Sequence, residues 1–153
     1  MKKQIHGVMA TLAILTISTF FISTVIAELF GNTDQIIYVK RAIVYGLFIL
    51  IPAMGITVGT GHALAKNRKG ILIEAKKRRI KFIGINAIII LVPSAFILDH
   101  LASLGIFNSL FVIVQVMELI AGATNIGLMV LMARDGLRLS NRLPVVRHVE
   151  NVN

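Results

Sequence analysis

Apolar residues are gathered into four long stretches, over 7–27, 42–65, 82–98 and 106–133, and Glu118 is the only acidic or basic residue inside them apart from His62. None of the stretches alternates apolar with polar positions, which speaks against strands of a membrane barrel. A helix of about 20 residues crosses a hydrocarbon core of about 30 Å. Because unpaired amides and carbonyls are costly in lipid, a spanning segment of this kind must be helical. The pattern predicts an all-α integral membrane protein with spans over about 7–29, 40–65, 80–102 and 106–133.

Turn residues divide the spans. Gly31-Asn32-Thr33-Asp34 separates the first from the second, and Gly105 separates the third from the fourth. Connections this short make consecutive helices antiparallel neighbours, so the expected architecture is a four-helix up-down-up-down bundle. Residues 1–133 form this single bundle, with a basic loop over 66–81 and a basic tail over 134–153 that Pro144 keeps from continuing as helix. Pro52 and Pro93 fall within spans, where the missing donor and the ring predict local kinks.

Charge then orients the bundle. Lysine and arginine number 16 against 7 aspartates and glutamates, a net charge of +9. Lys2 and Lys3 precede the first span, eight basic residues lie between Lys66 and Lys81, and Arg134, Arg138, Arg142 and Arg147 follow the last span. Only Lys40 and Arg41 fall on the other side. Short loops rich in lysine and arginine stay cytoplasmic, so both termini are expected inside a bacterial-type cytoplasmic membrane. Anionic inner-leaflet headgroups are the expected partners of the run Lys76-Lys77-Arg78-Arg79. That run has no interleaved aromatics and no soluble domain beside it, so no nucleic-acid partner is predicted. The absence of cysteine removes disulfides, thiolate metal sites and a cysteine nucleophile. The first 27 residues also carry the features of a signal peptide, with Val25-Ile26-Ala27 before Glu28, but the apolar run exceeds the usual core of about 7–15 residues and favours a retained helix.

Two spans carry stripes at steps of four and three, the spacing of a single helix face. On the second, Arg41, Tyr45, Phe48, Pro52, Gly55, Gly59 and His62 line up, and Gly55 with Gly59 forms a small-xxx-small pair suited to close packing against another helix. On the fourth, Gln115, Glu118, Gly122, Asn125, Met129 and Met132 share a face whose polar members should point inward. Gly122 is a further candidate packing position. A carboxylate at the centre of a membrane helix costs about 2.5–3.5 kcal/mol on insertion scales, so Glu118 needs a partner, and Lys40, Arg41 and His100 are the candidates. Asn86 on the third span and Asn125 come to similar depths and are expected to form an interhelical amide pair.

Other chemistry is thinly marked. His6 and His62 lie near the cytoplasmic ends of the first two spans, where axial haem ligation is sterically conceivable, yet both stand at helix margins; no cofactor and no metal site are predicted. There is no zinc-protease, nucleophile-elbow, phosphate-loop or dinucleotide motif. In size, span number and the presence of an acidic membrane residue the chain resembles the outline of small multidrug transporters. Those proteins carry a carboxylate within the first helix, whereas Glu28 stands at its end, and no residue role carries over. The expected function is that of a non-enzymatic accessory or assembly subunit that docks another membrane protein or a second copy. A small proton- or cation-linked transporter using Asn86, Gln115, Glu118 and Asn125 is the alternative, and a haem-binding cytochrome the third reading.

Overall fold

The computed structural model describes residues 1–65 and 71–139, and these are helical almost throughout. Helix α1 runs over Lys2–Phe30, α2 over Thr33–Ala65, α3 over Ile71–Asn86, α4 over Val92–Ser103 and α5 over Ser109–Leu139. A five-residue π-helical turn, Ala87–Leu91, joins α3 to α4, so these segments form one continuous rod. Four helical rods are thus long and apolar enough to cross a membrane: Lys3–Phe30, Thr33–Leu64, Glu74–Ser103 and Ser109–Leu137.

Local chemistry accounts for the breaks between rods. Asn32 and Gln35 exchange hydrogen bonds, each side-chain oxygen accepting from the other's backbone N–H at 2.9 Å, which caps the start of α2. At the end of α4, Gly105 has φ +69, a conformation glycine adopts without a steric penalty. Its N–H reaches the Ala102 carbonyl at 2.9 Å and the Ile106 N–H reaches Leu101 at 2.9 Å, the paired bonds of a Schellman ending. Asn108 then accepts from the Phe111 N–H at 3.2 Å and starts α5.

The two internal prolines behave differently. Helix α2 continues through Pro52 without a break in its assignment. Before Pro93 the ladder widens, the Val92 N–H donating to the Ala87 carbonyl five residues back. A proline cannot donate to the carbonyl four residues earlier, and the π turn is the local rearrangement beside that missing bond.

One apolar core holds Ala13 and Ile17 of α1 against Ile43, Leu47, Leu50 and Ala53 of α2, with Ile83, Ala95 and Met129 completing it. A smaller cluster at the other end joins Leu98, Ala102, Phe111 and Val114. Contacts along α1 and α2 run in opposite order: His6 meets Thr57 and Thr60, Phe20 lies on Gly46, and Glu28 approaches Lys40. A Cβ on Gly46 would overlap the Phe20 ring, so this glycine, absent from the predicted stripe, is a point of close packing between α1 and α2.

Helical structure also extends beyond the expected span boundaries. The segment 71–81, expected within the basic loop, is the start of α3, and α5 passes Ala133 to end at Leu139. The rest of the expected loop, 66–70, and of the expected tail, 140–153, lie outside the described residues.

Candidate functional site

Helix α5 turns its predicted face inward. Gln115, Gly122, Asn125 and Met129 are buried, and Glu118 and Met132 are partly so. Its polar members fall into layers along the bundle.

The first layer centres on Lys40. Its side chain is 1 % exposed, with Nζ 3.0 Å from Glu118 Oε2 and 4.0 Å from Glu28 Oε1. Gln115 donates from Nε2 to the same Glu118 oxygen at 3.4 Å. Two buried acceptors, Glu28 Oε1 and Gln115 Oε1, have no hydrogen-bond donor among the described residues. A cavity of about 50 Å³ adjoins this layer, walled by Phe20, Phe21, Thr24, Leu91, Glu118 and Gly122 among others. Its walls are almost wholly apolar, although Thr24 and Glu118 are among the lining residues.

Of the three predicted partners of Glu118, Lys40 makes the contact. Arg41 instead donates to Asp99 Oδ1 at 2.7 Å and is 46 % exposed. His100 is exposed at the end of α4, where its backbone carbonyl accepts from Ser103 Oγ at 2.8 Å. Adjacent helical residues point about 100° apart, and Lys40 shares the inward row of Ile43, Leu47 and Leu50 whereas Arg41 does not.

The middle layer is an interlock between α3 and α5. Asn86 Nδ2 donates to Asn125 Oδ1 at 2.8 Å and to the Ala121 carbonyl at 3.0 Å, while Asn125 Nδ2 reaches back to the Ile83 carbonyl at 3.4 Å. Both amides are buried. Asn86 is the last residue before the π turn, so the widened ladder begins where α3 is bonded to α5.

A third layer was not foreseen. Asp135, 3 % exposed, accepts a hydrogen bond from Arg79 Nη1 and so ties α3 to α5 again. Lys76 lies alongside, its Nζ 3.2 Å from where a Cβ on Gly136 would stand. The steps of four and three that define the α5 stripe continue from Met132 to Gly136, immediately beside Asp135. An acidic residue at that point, opposite a basic run, was the available signal.

The predicted packing glycines separate into two kinds. Gly122 is buried within the bundle, where a Cβ would come 3.5 Å from Phe21 and 4.0 Å from Leu91. Gly55 and Gly59 are exposed on α2, and a Cβ at either would meet nothing within 4 Å. The whole α2 stripe faces outward: Arg41, Tyr45, Phe48, Pro52, Gly55, Gly59 and His62 are all exposed, and the bundle buries the opposite side of the helix.

The histidines are engaged locally. His6 Nδ1 lies 3.1 Å from both the Thr57 carbonyl and Thr60 Oγ1, and its ring packs beside Gly61. His62 is exposed, with Nδ1 3.3 Å from the Val58 carbonyl one turn back. The contacts of His6 run to α2 backbone and side chain, not to His62. Among the described residues no group of three histidine or acidic side chains is arranged to hold a metal ion. No protein-family model matches this chain, and comparisons with curated proteins and with solved structures likewise found no match.

Proposed function

We propose that this chain is a non-enzymatic accessory or assembly subunit of a membrane complex, an up-down-up-down bundle with both termini in the cytoplasm that docks a helix of another membrane protein on the outer face of α2. The observation that carries this reading is the open surface at Gly55 and Gly59. Apolar burial does not drive helices together in lipid, so association relies on close backbone approach at small residues. Gly55 and Gly59 offer that approach one turn apart, and the bundle makes no use of it. Exposed Tyr45 and Phe48 belong to the same stripe and would meet an incoming helix further along it. The basic cytoplasmic end fits anionic headgroups of the inner leaflet, which would hold the protein at a fixed depth beside its partner.

The test is mild-detergent purification of the tagged chain from its native membrane, with mass spectrometry of co-eluting proteins. A stoichiometric partner is expected with the wild type and lost in Gly55→Leu/Gly59→Leu. Because a Cβ at either position meets nothing in the bundle, that variant keeps its own fold, and loss of the partner reports on docking directly. Retention of the partner by the double variant overturns the proposal.

A small proton- or cation-linked transporter is the second reading, and it draws on the two unpaired acceptors beside Lys40. Under it the mutant ranking reverses: Glu118→Gln abolishes cellular function while the glycine variant is tolerated.

A further inference from the structure

The first polar layer has an unequal charge count. Two carboxyl groups, Glu28 from α1 and Glu118 from α5, face one ammonium group, Lys40 from α2, at 4.0 Å and 3.0 Å. Among the described residues no second cation forms an ion pair with either carboxylate. The neighbouring Arg41 points away and is engaged by Asp99, the charged group that α4 brings to this end. With every group ionised, the layer would hold one uncompensated negative charge within the candidate spans, divided between Glu118, 12 % exposed, and Glu28, 24 % exposed near the end of α1. Such a charge is strongly disfavoured unless a partner or a proton neutralises it.

Hydrogen bonding shows a matching deficit. The two orphan atoms, Glu28 Oε1 and Gln115 Oε1, are both acceptors, and Gln115 is a side chain only 6 % exposed whose amide is held against Glu118. Among the described residues this layer therefore lacks a donor, and it also lacks a positive charge. A proton supplies both at once: it cancels the excess charge, and it turns one carboxylate oxygen from an acceptor into a donor. A hard metal cation suits the layer less well, because the Lys40 ammonium already occupies the space between the two carboxylates.

We propose that Glu28, Lys40, Gln115 and Glu118 form a proton-binding site in which one carboxyl group holds a proton taken from bulk water while the other stays ionised against Lys40. This site is separate from the docking face on α2, lying on the inward row of that helix, and its test is independent of any partner. Glu28, 24 % exposed against 12 % for Glu118, is the more open of the two carboxyl groups and gives the proton its point of entry. With the proton bound, one anion has Lys40 to itself, and release of the proton leaves two anions competing for one lysine.

Infrared spectroscopy of the full chain in lipid nanodiscs tests the charge count directly. At neutral pH the wild type shows a carboxylic-acid C=O band that shifts in D2O. The band vanishes in Glu28→Gln and in Glu118→Gln, since either variant leaves one carboxylate for one ammonium. In Lys40→Met it grows about twofold, since both carboxyls must then be neutral. Glu74→Gln, at an exposed residue, leaves it unchanged. Helical circular dichroism accompanies each variant, and if Lys40→Met fails to fold, the two glutamine variants decide the matter. The proposal is overturned by a wild type without the band, by a band that survives in both glutamine variants, or by one that disappears on adding sodium ions, which would make the site a cation site.

Discussion

Replacing Lys40 with methionine removes the only cation that lies within 4.0 Å of Glu28 and Glu118 among the described residues, and the structure sets the size of the effect. At 3.0 Å, and with an effective dielectric constant of about 20, the attraction between Lys40 and Glu118 is about 5–6 kcal/mol. Part of that is regained because the stranded carboxylates neutralise by binding protons. Removing one partner of a buried pair costs about 3–5 kcal/mol, and Lys40→Met should fall in this range. Glu118→Gln should cost far less, about 1–2 kcal/mol for the charged hydrogen bond, because Glu28 remains to compensate Lys40. Unfolding by SDS in mixed micelles, followed by circular dichroism, measures both variants on one scale. Equal losses for the two, or a Lys40→Met variant within about 1 kcal/mol of the wild type, would refute the shared-lysine reasoning.

Asn86→Ala should destabilise the bundle by about 1–2 kcal/mol in the same assay, since it removes two hydrogen bonds to α5 and leaves the Asn125 carbonyl oxygen without its donor. Gly46→Leu should be lost from the membrane fraction or fail to run as a folded species in size-exclusion chromatography, because its side chain would enter the space of the Phe20 ring, whereas Gly55→Leu elutes as the wild type. Arg79→Gln removes the arginine's hydrogen bond to buried Asp135 but leaves Lys76 beside that carboxylate, and should cost about 1.5–3 kcal/mol in unfolding, while Lys77→Gln, which breaks only an exposed pair with Glu74, should change stability by less than about 0.5 kcal/mol.

The two striped helices show what can and cannot be read from this sequence. On α5 the inward face was legible because it carries Gln115, Glu118 and Asn125, and polar groups are expensive wherever lipid would surround them. On α2 the predicted stripe is the outward face, and Ile43, Leu47, Leu50 and Ala53 form the inward one. Both faces of α2 are apolar, and with lipid as the solvent hydropathy does not distinguish a core position from a tail-facing one. The tight glycine was hidden for the same reason: Gly46 carries no mark separating it from Gly55 until Phe20 is seen across from it. The partner of Glu118 was narrowed to three residues, and the choice of Lys40 over Arg41 depends on helix rotation, which the apolar row through Ile43 and Leu47 encodes. Asp135 was missed because the helix was expected to end at Ala133, where the charges begin; α5 carries those charges as helix.

Helix α5 serves as the ruler for the bundle. At about 1.5 Å per residue, Glu118 and Asn125 lie about 10 Å apart along it and Asn125 and Asp135 about 15 Å. Each bonds a different partner, Lys40 on α2 and then Asn86 and Arg79 on α3. Sliding α5 by one turn, about 5.4 Å, would strand all three at once, so the buried polar groups select a single register where apolar packing alone would tolerate several. The same division of labour frees the outer face of α2. Register is fixed from within by α5, so Gly55 and Gly59 bear no part of the fold and can be substituted without disturbing it. A docking defect from those glycines and a folding defect from Lys40 should therefore appear in different variants, and a chain in which the two could not be separated would contradict both the polar ruler and the proposed docking face.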